Sequence, residues 1–218
     1  MKENDTQQPN AQPNTQSSAA DLDLLETKLS SNTVYQGNFL VLKRDHIRLP
    51  NGKPATREYM VHPGAVVILP LFEDGDVLIE KQFRYPLNRV FIEYPAGKLE
   101  SQPQDLLNPH LQSETALDCA QRELREETGY TAKKWTKLTK IHPAIAYSTE
   151  YLDFFLAEEL SPGEKFLDEE EFLLIEKVSL RKMLDWIKSG IITDAKTMIA
   201  TFWLEKIVSG DWEINRND

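Results

Sequence analysis

The segment ETALDCAQRELREETGY, Glu114 to Tyr130, limits most sharply what this chain can be. Leu117, Ala120 and Leu124 recur at helical spacing and predict an apolar stripe facing a core. The helix should run from about Thr115 to Thr128, with Gly129 supplying the left-handed cap. Glu123, Glu126 and Glu127 also recur at helical spacing, so they share a second face and repel one another. They occupy the last two turns, where the helix dipole is negative and cations are preferred. Each misplacement costs roughly a few tenths of a kcal/mol, and Arg122, one turn before Glu126, offsets only part of the set. Two readings follow. The common source of such runs is a solvated charged face; the sharper one is a divalent cation held by hard oxygen ligands, which suits Mg²⁺ or Mn²⁺.

Charge bears on what such a site can serve. Lysine and arginine total 25 against 35 aspartate and glutamate, a net charge of −10 over 218 residues. A chain of that sign repels nucleic-acid polymers and anionic membranes, so neither is an expected partner. A small anionic ligand remains compatible where metal or clustered cations reverse the local field. Cys119 is the only cysteine, so no intramolecular disulfide can form, and a cytoplasmic location is expected. MKENDTQQPNAQPNTQSS lacks the apolar core of a signal peptide, and no stretch is long enough to span a bilayer.

Along the chain, residues 1–20 are polar and free of aromatics and predict a disordered tail. Residues 21–62 predict a small antiparallel β unit around the turn signal Pro50-Asn51-Gly52, too short to be stable alone. It should pack on the main domain or on a second subunit, and a homodimer is expected. The main domain, 63–210, predicts strands at Ala65–Phe72, Val77–Phe83, Phe91–Tyr94, Lys137–Ile141, Leu152–Ala157 and Phe172–Val178. Besides the acidic helix, helices are expected at Leu180–Lys188 and Asp194–Val208, each with a Ser or Thr cap candidate before it and a glycine after it. Residues 211–218 form a C-terminal tail. Mixed strands with helices on two sides predict an α/β/α sandwich. Cys119, Trp203 and Phe202 read as packing residues, and His62 and His142, each before proline, as structural.

The run Arg122-Glu123-Leu124-Arg125-Glu126-Glu127-Thr128-Gly129-Tyr130, with Glu114 ahead of it and Gly97 in EYPAGKLE upstream, resembles the box that defines the Nudix hydrolases. The family normally keeps that glycine and glutamate close together, whereas here ESQPQDLLNPHLQS intervenes. The resemblance implies a Nudix-type α/β/α sandwich with a mixed sheet and metal-dependent cleavage of a pyrophosphate bond. It assigns metal binding to Glu123, Glu126, Glu127 and the carbonyl of Ala96, and the orienting of those carboxylates to Arg122, with Gly97 opening the substrate loop.

A wider resemblance, from about Val34 to Lys206, is to the ADP-ribose pyrophosphatase group. It implies Glu169 as general base and Glu171 as a further metal ligand, in the acidic run Asp168-Glu169-Glu170-Glu171. It also implies Arg84 (QFRYP) as a phosphate contact, Arg57 as a substrate contact from the N-terminal unit, and Glu150 as an acceptor of sugar hydroxyls. Ala144-Ile145-Ala146 stands where these enzymes often carry Ser-Pro-Gly. ADP-ribose, giving AMP and ribose 5-phosphate, is the leading substrate. GDP-mannose or another nucleoside diphosphate derivative is the alternative, and a non-catalytic nucleotide sensor is the alternative of a different class.

Overall fold

A computed structural model describes residues 19–38, 40–100, 114–165 and 172–215. The strand that organises them is β4 (Ala65–Pro70), whose residues Val66 to Leu69 are fully buried. Successive side chains of a strand point to opposite faces. Val66 and Ile68 therefore enter one core, with Cys119, Ala120, Leu124, Phe155 and Ala157, while Val67 and Leu69 enter the other, with Phe154, Leu156, Met183, Ala200 and Leu204. A strand apolar on both faces needs a layer on each side.

The sheet has the order β7-β4-β9-β8, with β7 at Ala96–Lys98, β8 at Tyr130–Ile141 and β9 at Leu152–Pro162. β4 runs parallel to β9 and antiparallel to β7, so the sheet is mixed. Helix α1 (Ala116–Thr128) covers one face; α2 (Leu180–Lys188) and α3 (Ala195–Val208) lie on the side of the second core. A second antiparallel sheet has β5 (Asp76–Arg84) between β10 (Leu173–Ser179) and β6 (Arg89–Glu93). The expected α/β/α sandwich is therefore the observed one.

The N-terminal unit is an antiparallel three-stranded sheet: β1 (Thr27–Gln36), β2 (Val41–Arg48) and β3 (Pro54–Val61). Every residue of β1 is exposed, Leu29, Val34 and Tyr35 among them. The end of β3 is tied to the main domain by Met60 N–H donating to Tyr147 O at 2.9 Å and Thr149 N–H donating to Met60 O at 3.0 Å.

Several local expectations need correction. Leu117 does not face the core: it is half-exposed, and the buried stripe of α1 is Cys119, Ala120 and Leu124, continuing into Glu127 and Thr128. Phe202 is likewise exposed on α3, whereas Trp203 packs on the core and meets Trp212 edge to face at 4.7 Å. β8 begins at Tyr130 rather than Lys137. Helix α3 is capped by Asp194, whose side chain accepts from Thr197 N–H, and not by Thr193. The remaining caps follow expectation: Ser179 starts α2, and Gly129 ends α1 at φ 77°.

Candidate active site

Gly129 ends α1 so that the chain turns at once into β8, and this holds the acidic end of the helix against β7. The contact is tight. Ala96 N–H donates to Glu127 Oε2 at 3.2 Å, and Glu127 is almost fully buried. One residue on, a Cβ on Gly97 would lie 1.8 Å from Glu123 Cδ and 1.9 Å from Glu123 Oε1. Only glycine lets this backbone approach the helix so closely. Ala96, Gly97, Glu123 and Glu127 are thus brought together from two elements.

Arg122 lies at the centre of the acidic face. Its Nε and Nη2 grip Glu114 at 2.9 and 3.1 Å, and its Nη1 reaches Glu123 at 2.8 Å and Glu126 at 3.1 Å. These bonds hold the guanidinium's proton more firmly than in a free arginine, the bond to Glu114 first, and burial opposes only in part. For Glu114 burial is the largest influence and acts upward, but the bonds from Arg122 and from Glu100 N–H together bring its pKa below the ordinary carboxylate value. Cys119, packed beneath with Sγ 3.5 Å from Lys98 O, has its thiol pKa pushed up by burial and then by Glu114 and Glu123. It is a protonated packing residue.

A cleft of about 350 Å³ opens beside this face, lined by Arg84, Ala96, Gly97, Lys98, Glu150 and Lys196, among others. Arg84 is fixed by Glu93, through Nε and Nη2 at 2.7 and 2.8 Å. Glu93 is almost fully buried, which raises its pKa, yet Arg84 and Lys196 outweigh this and leave it lowered. Glu150 has its pKa raised by burial, with Lys196 opposing. His62, also on the cleft, accepts from Gly64 N–H at Nδ1; burial and Lys98 lower its pKa to about 4. A second groove, of about 600 Å³, runs between α1 and β8 and shares Arg122 and Glu126 with the acidic face.

Not every expected site residue meets here. Arg57 lies on the N-terminal sheet, half-exposed, bonded to Glu26 and away from the cleft lining. Glu169 and Glu171 lie outside the described residues, though the chain entering that segment passes the end of α1, with Lys165 N lying 3.1 Å from where a Cβ on Gly129 would be. Among the described residues no three His, Cys, Asp or Glu side chains converge as a ready metal site. Arg122 spreads three of the carboxylates, and the acidic loop is outside that set. The donor chemistry nonetheless fits a hard cation, since three carboxylates share one guanidinium. Sequence reasoning missed Glu93 and Lys196. A carboxylate inside the apolar run VFIEY, and a lysine in the first turn of α3, were the available signals.

Fold and site together set a glycine-bearing strand against the acidic end of a helix, beside a cleft lined by Arg84, Lys98 and Lys196. The family model described as NUDIX domain matches residues 60–197, and one described as nucleoside diphosphate sugar hydrolase N-terminal domain matches residues 26–60. The chain is 40% identical over 184 residues to the ADP-ribose pyrophosphatase of Bacillus subtilis, covering 84% of this chain and 94% of that one. It is 32% identical over 182 residues to the methanol dehydrogenase activator of Bacillus methanolicus, covering 83% and 92%. Against the GDP-mannose pyrophosphatase of Yersinia pestis it is 29% identical over 140 residues, covering 62% and 67%. The solved structure of an ADP compounds hydrolase superposes with a TM-score of 0.73 at 23% identity, covering 86% of this chain and 97% of the other, and so shares its fold. The chain belongs to the Nudix hydrolase family.

Proposed function

We propose that this protein hydrolyses ADP-ribose to AMP and ribose 5-phosphate in the cytoplasm, using Mg²⁺, with Mn²⁺ as a substitute. The observation that carries the reading is the joining of a glycine loop and an acidic helix at one edge of a cleft whose other walls bring in Arg84, Lys196 and Glu150. Glu123, Glu127, Glu126 and the Ala96 carbonyl hold the cation, with Glu171 joining from the acidic loop. Bound there, it neutralises diphosphate charge and lowers the pKa of water.

The chain's own residues do the rest. Arg122 orients the carboxylates by charged hydrogen bonds. Arg84 presents its remaining guanidinium donors to phosphate. Gly97, whose missing Cβ makes room for the Glu123 carboxylate, contacts the substrate where it lines the cleft. Glu150 accepts sugar hydroxyls, and Glu169 takes the proton of the attacking water. The fully exposed β1 and its apolar residues support a homodimer, in which Arg57 would act on a cleft brought to it by the second copy.

The similarity to GDP-mannose pyrophosphatases keeps that sugar nucleotide as the second substrate. Incubating the protein with each compound at equal concentration, with Mg²⁺, and resolving products by anion-exchange chromatography tests the reading. AMP from ADP-ribose is the expected result. GMP alone makes GDP-mannose the substrate, and tight binding without products makes the protein a sensor.

A further inference from the structure

Tyr151 follows Glu150 immediately, yet its side chain lies on the face of the sheet away from the cleft. Ala65, Ala96 and Leu152 line the cleft and pack toward the core on the side of α2 and α3, whereas Tyr151, Val66 and Leu99 pack in the core covered by α1. The far end of the Tyr151 ring presses on Gly64: a Cβ there would lie 2.3 Å from Cζ and 2.7 Å from the hydroxyl oxygen. Gly64 also has φ +98°, so both its conformation and its lack of a side chain are used. Lys140 Nζ stands over the ring, 3.7 Å from its centre, and holds it by a cation–π contact. Gly64 is a junction as well. Its carbonyl accepts from Leu99 N–H at 3.1 Å, its N–H donates to His62 Nδ1 at 3.1 Å, and the next N–H, of Ala65, donates to Tyr151 O at 3.0 Å. Along the same pair of strands Val66 faces Gly97, into which Glu123 presses in turn. Filling a core needs only apolar volume of the right size. A ring set against a glycine at positive φ does something more: it fixes how far the chain carrying Glu150 stands from the β4–β7 floor carrying Gly97.

We propose that Tyr151 is a positioning residue: wedged against Gly64 from the side away from the cleft, it sets the spacing between Glu150 and the Gly97 strand. It touches no substrate. The inference rests on the nucleoside diphosphate sugar reading, in which Glu150 holds the sugar while the diphosphate lies against Gly97 and the acidic end of α1. A substrate gripped at both places reacts only when their separation matches its own length, so an error in the spacing appears in the chemical step rather than in binding.

The test is steady-state kinetics on ADP-ribose with Mg²⁺, for Tyr151 variants made both in the wild-type chain and in a Glu150→Gln chain, with folding followed by circular dichroism. Tyr151→Leu keeps apolar volume but removes the wedge; it should lower kcat about a hundredfold, as a shift of about 1 Å does, with KM within about threefold of wild type. Tyr151→Phe keeps the ring and should stay within about threefold in both constants. In the Glu150→Gln chain the sugar is no longer held on that side, so Tyr151→Leu should cost a further factor of only about ten or less. Tyr151→Met stands in, with the same expectations, if Tyr151→Leu fails to fold. Equal losses in the two backgrounds overturn the proposal, because Tyr151 would then support the fold without acting through Glu150. So does a Tyr151→Phe protein as slow as Tyr151→Leu, a Tyr151→Leu protein with wild-type kcat, or a loss confined to KM. A wild-type protein that cleaves no sugar nucleotide sinks the functional reading, whereas a working wild type whose variants behave additively sinks only the wedge.

Discussion

Two clusters of charge border the cleft and differ in balance. At α1, three carboxylates, Glu114 just ahead of the helix and Glu123 and Glu126 on it, lean on the single guanidinium of Arg122, leaving negative charge in excess. At Glu93, two cations and two carboxylates, Arg84 and Lys196 with Glu93 and Asp194, close on one another. The first cluster keeps a net negative charge, and the second is balanced among its own four groups. Excess marks where chemistry needs a visitor, and balance marks where the protein holds its own side chains still.

The largest break in this comparison is expected at the unbalanced cluster. Glu127→Gln, or chelation of the wild type, should lower turnover by about a thousandfold or more while circular dichroism stays native, as expected when a metal-dependent hydrolase loses its ion. A folded Glu127→Gln protein with normal turnover would remove Glu127 from the ligand set. Gly97→Ala should come next. Its Cβ would overlap the Glu123 carboxylate, so β7 or the helix must shift. A misplacement of about 1 Å near reacting groups costs on the order of a hundredfold in kcat/KM. Unchanged kinetics would show that Glu123 moves aside freely.

At the balanced cluster the readout is stability. Glu93→Gln leaves two cations without their buried anion and should cost about 3 kcal/mol in urea unfolding, with or without divalent metal. Equal stability would mean that Glu93 holds neither cation in place.

The smallest effect concerns pH. The neutral form of His62 is favoured in the fold, with a pKa of about 4 against an ordinary 6.5. As pH falls below 6.5 the unfolded chain gains a proton that the folded chain refuses, so stability declines progressively until about pH 4. His62 is partly open to solvent, which shrinks the effect to a few degrees of Tm. His62→Gln should flatten that limb of the Tm–pH curve; an unaltered slope would assign it elsewhere. The lowered pKa of Glu93 acts with the same sign but further toward acid, its contribution being present above the ordinary carboxylate pKa and lost as pH falls through the lowered one.

Features governed by local rules were legible in the sequence. Gly129 ends α1 because it adopts a positive φ without strain, and the alternation of Val66 to Leu69 needed only the pleat of a strand. The first half of β8 was hidden because its core-packing residues Tyr130, Ala132 and Trp135 fall out of strict alternation at the pair Lys133-Lys134. Leu117 misled because helical spacing gives a face but not its width, and the docked face is set by how α1 approaches β4 and β7. Glu93 and Lys196 lie 103 positions apart, and only the tertiary fold makes them partners. Of the candidate site, the part carried on α1 and Arg84 on β5 were named from the sequence; the mounting of Arg84 on Glu93 of β6 beside Lys196 of α3 was not.

The ladder between Met60 and the Tyr147–Thr149 turn has one more implication. Glu150, which lines the cleft, is the very next residue after Thr149. Residues remote in chain order are thus separated by one hydrogen bond and one peptide unit. The N-terminal sheet is thereby fastened to the turn that presents Glu150, like a handle to a latch.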